Sequence, residues 1–375
     1  MKKHKICFVV PGAYYLFNPE EQSDVENIGG AQYQAYLISK ELAKKEFDVH
    51  FTVFYSANPN PEIIGGVSII KVAKFKEHIV LKAYKLLKEL KKVDASLYIF
   101  RSADFGVAIV LLYLRFFLRK KVFYMLASET EISLGSSISN LGIFTSLLMQ
   151  LVYKKANYIS AQTHQQGLLF KEHRKRSPDY LLKNIVPEKL DLNDEPIIEK
   201  KYILWVGRLS KLKNADLFLE LAKRNPEESF IMIGQEARKE KKNGIRIKTA
   251  ALKQQNIEYL GYVANNEISN YYKQSKIYIM SSFQEGFSNT MAEAMQQRCA
   301  ILSFMVNPDN IISEQKAGYF SNGSKDAFFD QFTKMKNKQT LLAEFGENGH
   351  QYINHNHRKE LIAYDYAAYI HSILS

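Results

Sequence analysis

The chain has 375 residues, 46% of them hydrophobic and 24% charged, with a formal net charge of +12 and two cysteines. Such a length exceeds what one hydrophobic core usually serves, so two domains are expected. The composition excludes a disordered or disulfide-stapled chain, and the basic balance favours anionic partners: nucleic acid, a membrane face or phosphorylated substrates.

The opening "MKKHKICFVVPGAYY" has the charge of a secretory leader, but its apolar run stops at Pro11-Gly12. That is too short for a leader's apolar region, so 5–10 is predicted as a strand. Apolar residues at helical spacing follow over 31–46, then the β-branched and aromatic run 49–55. Further strands are predicted at 67–70, 96–100, 121–126 and 157–162, with helices at 81–92, 104–118 and 139–154. The most apolar of these, "VAIVLLYLRFFLRKK", is broken by Arg115 and falls short of the ~20 apolar residues of a membrane span. Residues 184–201, with two prolines and weak periodicity, break the rhythm and read as a linker.

The alternation then restarts. Strands are predicted at 202–207, 229–234, 257–261, 276–280 and 300–304. Helices are predicted at 214–224, 246–254, 265–274, 289–298, 325–335 and 338–350, and a last one at 358–374. Strands alternating with helices imply a parallel sheet covered on both faces. The expected fold is α/β, with two Rossmann-like domains facing a cleft: 1–190, 191–357, and a closing segment, 358–375. Cys7 and Cys299 fall in predicted strands of different halves, which fits neither a zinc site nor a disulfide and suggests a reducing compartment.

In parallel sheets ligands sit at the carboxyl ends of strands, so the turns after strands carry the information. Three stand out. In "NIGGAQ", Gly29 and Gly30 open the first helix and let backbone N–H groups approach an anion, although such a pair is also an ordinary turn. It is not the G-x-G-x-x-G fingerprint, which argues against a dinucleotide oxidoreductase. In "VGRLSKLKN", Arg208 and Lys213 place two cations at a strand's end, suited to a diphosphate or simply to a solvated basic loop. The third is "SSFQEGFSNTMAEAMQ", where Glu285 precedes a Gly286-Phe287-Ser288-Asn289 turn and Glu293 lies about one turn inside the next helix. Its helix start, around Ser288, Asn289 and Thr290, is a phosphate site in form. Two carboxylates flanking an anion-binding turn fit a ligand with hydroxyls at both ends of a diphosphate, as in a nucleotide sugar. As alternatives, Glu285 is a loop charge and Glu293 a solvated residue complementing the helix dipole.

The motifs "GGAQ", "VGRLSKLKN" and "EGFSNTMAEAM", in this order from about residue 5 to 320, resemble a GT-B glycosyltransferase of family four, a retaining, nucleotide-sugar-dependent group. The resemblance implies that 1–190 receives the acceptor and 191–357 holds the donor. It also implies that the last helix crosses back to the N-terminal domain. In it Glu285 contacts the donor-sugar hydroxyls, Glu293 the ribose, and Arg208 and Lys213 the diphosphate. Backbone of Gly286, Phe287, Ser288, Asn289 and Thr290 caps the diphosphate, and Gly29 and Gly30 face it. The sequence departs from the family in "QQRCAIL", which lacks the usual glycine and proline. It departs also in "YMLASETE", where Ser128 and Glu129 stand in place of a frequent histidine. There Glu129 becomes a candidate acceptor-hydroxyl partner, with Ser128 beside it and Arg101 orienting it; the alternative is a surface ion pair. "YIFRSADFG" and "VNPDNII" resemble a bacterial subgroup tied to surface polysaccharide.

The expected activity is transfer of a hexose from a UDP- or GDP-sugar to a glycan or lipid-linked acceptor, with no metal and no cofactor. A non-catalytic nucleotide-sugar or glycan-binding protein on the same scaffold is the alternative. Nucleic-acid binding is disfavoured, since no recognition motif with interleaved aromatics is present. The expected location is cytoplasmic, with peripheral contact to anionic lipid at the inner face of the plasma membrane.

Overall fold

The computed structural model describes residues 3–21, 29–56, 59–132, 142–187, 200–264 and 267–375. The chain divides into two compact units, one of 1–185 and 359–375, the other of 186–358. Most of the predicted linker, and Asn27 and Ile28 ahead of the glycine pair, lie outside the described residues.

The first unit runs β1 (His4–Val9), α1 (Tyr14–Phe17), α2 (Gly30–Ala43), β2 (Phe47–Tyr55), β3 (Glu62–Ile64), β4 (Val67–Lys74), α3 (Ile79–Val93), β5 (Leu97–Phe100), α4 (Phe105–Phe116), β6 (Lys121–Met125), α5 (Ile143–Lys155), β7 (Tyr158–Ala161), α6 (His164–Arg174) and β8 (Tyr180–Leu181). Its sheet has the order β3-β4-β2-β1-β5-β6-β7-β8, parallel except for the β3–β4 pair. Strand residues alternate between two cores, as the period of two requires. Ile6 and Phe8 of β1 face the core shared with α2, while Cys7 and Val9 face the core shared with α3, α4 and α5. The short β3 is not among the predicted strands, although Gly65-Gly66, both at positive φ, make the tight reversal that pairs it with β4.

The second unit runs β9 (Tyr202–Val206), α7 (Ala215–Arg224), β10 (Phe230–Ile233), α8 (Lys241–Leu252), β11 (Ile257–Gly261), α9 (Ile268–Gln274), β12 (Ser275–Met280), α10 (Asn289–Gln296), β13 (Ala300–Ser303), α11 (Ile311–Glu314), β14 (Gly318–Phe320), α12 (Lys325–Lys336) and α13 (Gln339–Asn356). Its six parallel strands take the order β11-β10-β9-β12-β13-β14. This is a doubly wound order, which reverses direction between β9 and β12 and opens a crevice at their carboxyl ends. Ile203 and Trp205 of β9 pack on the α7, α8 and α12 side, and Leu204 and Val206 on the α10 and α13 side.

The last helix, α14 (Lys359–Leu374), belongs to the first unit. Its Ile362, Ala363, Tyr366 and Ile370, at helical spacing, enter the core that holds Ile6, Phe123 and Leu182. Lys121 Nζ donates to the Ile373 carbonyl at 2.6 Å, fixing the end of α14 to the start of β6.

Candidate active site

The second unit's switch point is where two of the three sequence motifs meet. The turn after β9 carries Arg208 and Lys213; the turn after β12 carries 281–288 and leads into α10. Glycines set the spacing of the first turn. At Gly234, with φ of +151°, a Cβ would stand 1.7 Å from the Gly207 carbonyl oxygen, so the ends of β9 and β10 approach as only glycine allows. The amides of Gly207 and Leu209 donate to the carbonyls of Ile233 and Gln235 at 3.0 and 2.8 Å. Both backbone positions around Arg208 are thereby held, and its side chain is exposed to solvent.

The two turns are tied by a buried relay. Trp205 Nε1 donates to Ser281 Oγ at 2.9 Å, and Ser281 Oγ donates to the Lys213 carbonyl at 2.7 Å. The Phe283 amide donates to the Leu212 carbonyl at 2.9 Å. Above this relay Lys213 Nζ and Glu285 Oε1 form an ion pair at 2.5 Å, each side chain under one-fifth exposed. Two residues that the resemblance assigns to different parts of the donor, the diphosphate and the sugar, are thus direct partners.

The start of α10 is anchored from beneath. Tyr278 Oη contacts Thr290 Oγ1 at 2.7 Å, and Ser288 Oγ lies 3.1 Å from the same hydroxyl. Ser288 is the N-cap residue, accepting from the Met291 amide. The Phe287 ring is buried and stacks on His357 at 4.3 Å between centroids, so its side chain belongs to the core. Burial first, and then the charges of Glu285 and Glu293, hold the Tyr278 phenol far above its usual pKa. Burial and the Glu293 charge do the same for Tyr272. Glu285 lies in the turn after β12 and Glu293 is the fifth residue of α10. The first turn of a helix lacks intrahelical acceptors for its N–H groups and favours negative charge. The Tyr278 hydroxyl that meets Thr290 also donates to the Val206 carbonyl at 3.3 Å, which ties the start of α10 to the end of β9.

The remaining candidates lie in the first unit. Gly29 is the N-cap of α2 and Gly30 its first residue; a Cβ on Gly29 would meet Gln32 Oε1 at 2.5 Å. Arg101 follows β5, and Ser128 and Glu129 follow β6. The charge of Glu131, two residues beyond Glu129, acts on Arg101. Arg101 is 3% exposed and donates to Asn184 Oδ1 at 2.8 Å; burial lowers its pKa to about 10. Glu131, also buried, accepts from the Ala127 and Ser128 amides and from Tyr124 Oη, the last at 2.7 Å. Burial raises its pKa despite these donors. Glu131 thus shapes the loop that carries Ser128 and Glu129, and the Ser-x-x-Glu capping signature in "SETE" is the signal for it. Glu129 itself is half-buried. Among the described residues no cluster of three or more His, Cys, Asp or Glu side chains is placed to hold a metal ion, and no helix is long and apolar enough to cross a membrane.

Residues 189–352, nearly all of the second unit, match the family model described as glycosyl transferases group 1. An uncharacterized glycosyltransferase of Methanocaldococcus jannaschii is 24% identical over 294 residues, 69% of this chain and 70% of that protein. A sucrose-phosphate synthase from Thermosynechococcus elongatus superposes with a TM-score of 0.83 at 13% identity, over 99% of both chains. HepE of Anabaena, in complex with UDP and glucose, superposes with a TM-score of 0.76 at 13% identity, over 98% of this chain and 100% of that one. These superpositions establish the fold, two Rossmann-like α/β units of the GT-B kind. The match to the group 1 model across most of the second unit, together with a glycosyltransferase among the sequence relatives, supports a glycosyltransferase.

Proposed function

We propose that the protein transfers a sugar from a nucleoside-diphosphate donor, UDP- or GDP-linked, to a glycan or lipid-linked acceptor in cell-surface polysaccharide synthesis. The observation that supports this reading is the Lys213–Glu285 ion pair at the β9–β12 switch point, where the turn after β9 also carries Arg208 and the turn after β12 leads into α10 with Glu293. In the proposed complex Arg208 and Lys213 meet the diphosphate, helped by backbone from Gly286 to Thr290. Glu293 accepts from the ribose hydroxyls and Glu285 from the sugar hydroxyls. The similar fold of HepE, whose structure holds UDP and glucose, supports the donor class.

Breaking the anomeric bond leaves negative charge on the departing diphosphate. Fixed cations and a helix N-terminus stabilise that charge without a metal, so catalysis by preorganised electrostatics is the proposed principle. Transfer proceeds with retention, the acceptor hydroxyl attacking the face that the diphosphate leaves. Glu129 in the first unit is the proposed acceptor-side base, held by a loop that Glu131 braces from inside. The test is turnover with a panel of UDP-, GDP- and ADP-sugars, with and without EDTA, followed by NMR of the product's anomeric proton. One nucleotide class should support EDTA-resistant transfer with retained configuration. Metal-dependent transfer or an inverted product would overturn the corresponding part of the proposal.

A further inference from the structure

Helices α4 and α5 are apolar on both sides. Inward, Val107, Val110, Leu111 and Leu114 of α4 and Met149 and Val152 of α5 fill the core beneath the sheet. Outward, Phe105, Ile109 and Phe116 form a second stripe on α4, and Phe144, Leu147 and Leu151 a second stripe on α5, all exposed. Phe117, in the turn after α4, is 77% exposed, and so is Phe144. A surface helix normally carries one apolar stripe, and contiguous exposed apolar area marks a contact surface. The concentration is uneven. Among the described residues, eleven of twenty exposed large hydrophobic side chains lie on α3, on α4 with its following turn, and on α5.

The same face is cationic. Arg115 Nε donates to the Lys155 carbonyl at 3.3 Å, joining the carboxyl ends of α4 and α5. Arg119, Lys154 and Lys155 crowd that end with exposed side chains. Neither helix contains an aspartate or glutamate. Flat apolar stripes edged by cations suit a surface that is apolar inside and anionic outside. A second copy docked face to face would set these cations against one another, so charge selects against self-association.

We infer that the α4–α5 face of the first unit docks on an anionic phospholipid bilayer, with Phe116, Phe117, Phe144 and Leu147 entering the interface and Arg115, Arg119, Lys154 and Lys155 meeting headgroup phosphates. No helix among the described residues is long and apolar enough to cross a membrane, so the inferred contact is a surface one. Docking there would hold the unit at the surface from which a lipid-linked acceptor is presented. Vesicle binding needs no nucleotide sugar, so its failure is distinguishable from failure of the proposed transfer reaction.

The test is co-sedimentation of the full chain with vesicles of phosphatidylcholine alone or of equal parts phosphatidylcholine and phosphatidylglycerol. Binding to the mixed vesicles and its loss at high salt are expected. Each cation near an anionic surface contributes about 1 kcal/mol, roughly fivefold, so Arg119→Ala with Lys155→Ala should lower the partition coefficient about thirtyfold. Phe117→Ser with Phe144→Ser should lower binding to both vesicle types. Because all four side chains are exposed, circular dichroism and urea midpoints should match wild type. Should the aromatic variant misfold, the charge variant carries the test. Absence of wild-type binding, binding by both variants equal to that of wild type, or a concentration-dependent dimer abolished by the same substitutions would each overturn the inference.

Discussion

Ser281 is the hinge pin of the proposed donor site, and Ser281→Ala isolates its contribution without changing the size of the site. The hydroxyl accepts from the Trp205 indole at 2.9 Å and donates to the Lys213 carbonyl at 2.7 Å, and the residue is 1% exposed. Alanine leaves the indole N–H buried without an acceptor, at a cost of about 1–3 kcal/mol. Losing the bond to the less buried Lys213 backbone adds about 0.5–1.5 kcal/mol. The expected destabilisation of the second unit is therefore roughly 2–4 kcal/mol. Trp205 is the chain's one tryptophan, so its fluorescence reports this unit and the perturbed bond directly. With a urea slope of about 2 kcal/mol/M, the fluorescence midpoint should fall by about 1–2 M. Since the loosened loop carries Lys213, affinity for a nucleoside diphosphate should fall with it. A natively folded variant whose midpoint moves by less than about 0.3 M would refute the relay.

Two further predictions concern the same unit. Gly234→Ala introduces a Cβ 1.7 Å from the Gly207 oxygen at a φ of +151°, so backbone strain and overpacking, about 1–3 kcal/mol each, should lower the same midpoint by more than Ser281→Ala does. His350 of α13 is buried. Its Nδ1 faces the Gln296 carbonyl at 2.6 Å, its Nε2 faces the Asn354 amide at 2.8 Å, and burial lowers its pKa. Below the ordinary value of about 6.5 the unfolded chain takes up a proton that the folded one resists. Stability should therefore be full above that pH and decline as pH falls through it toward the lowered value. Denaturation between pH 8 and pH 5 should show a flatter profile for His350→Gln; an unchanged profile would remove His350 from the account.

The alternation of strands and helices was legible because buried parallel strands read as short apolar runs, such as "KICFVV" and "KIYIM". The switch-point motifs were legible for a related reason: polar residues and glycines interrupt those runs at their ends. What the sequence conceals is pairing. Nothing in the spacing of Lys213 and Glu285, 72 positions apart, announces a 2.5 Å contact; it follows from the β9–β12 adjacency of the strand order. Ser281 shows only as a polar residue closing an apolar strand, and its two partners lie in other segments. Glu131 was legible through its capping signature, yet Glu129, nearer the middle of the same loop, drew the functional assignment. Burial separates the two, and burial is set by the packing of Tyr124 and Tyr153 around Glu131. The outward stripe of α4 was hidden for the opposite reason. A helix apolar all round looks like core, and only the fold shows which side is exposed.

The central claim is that a nucleoside-diphosphate sugar binds at the β9–β12 switch point, its diphosphate on Arg208, its ribose on Glu293 and its sugar on Glu285. Titration calorimetry of UDP and GDP against wild type and three alanine variants tests it most directly. Arg208→Ala should weaken binding about tenfold to a hundredfold, the cost of one charge-assisted contact. Glu293→Ala should weaken it through the lost ribose contact. Glu285→Ala should leave affinity equal or slightly higher, because it releases Lys213 from its ion pair, while turnover with the full donor collapses. Wild-type affinity in the Arg208 and Glu293 variants, or identical losses in all three, would contradict the assignment.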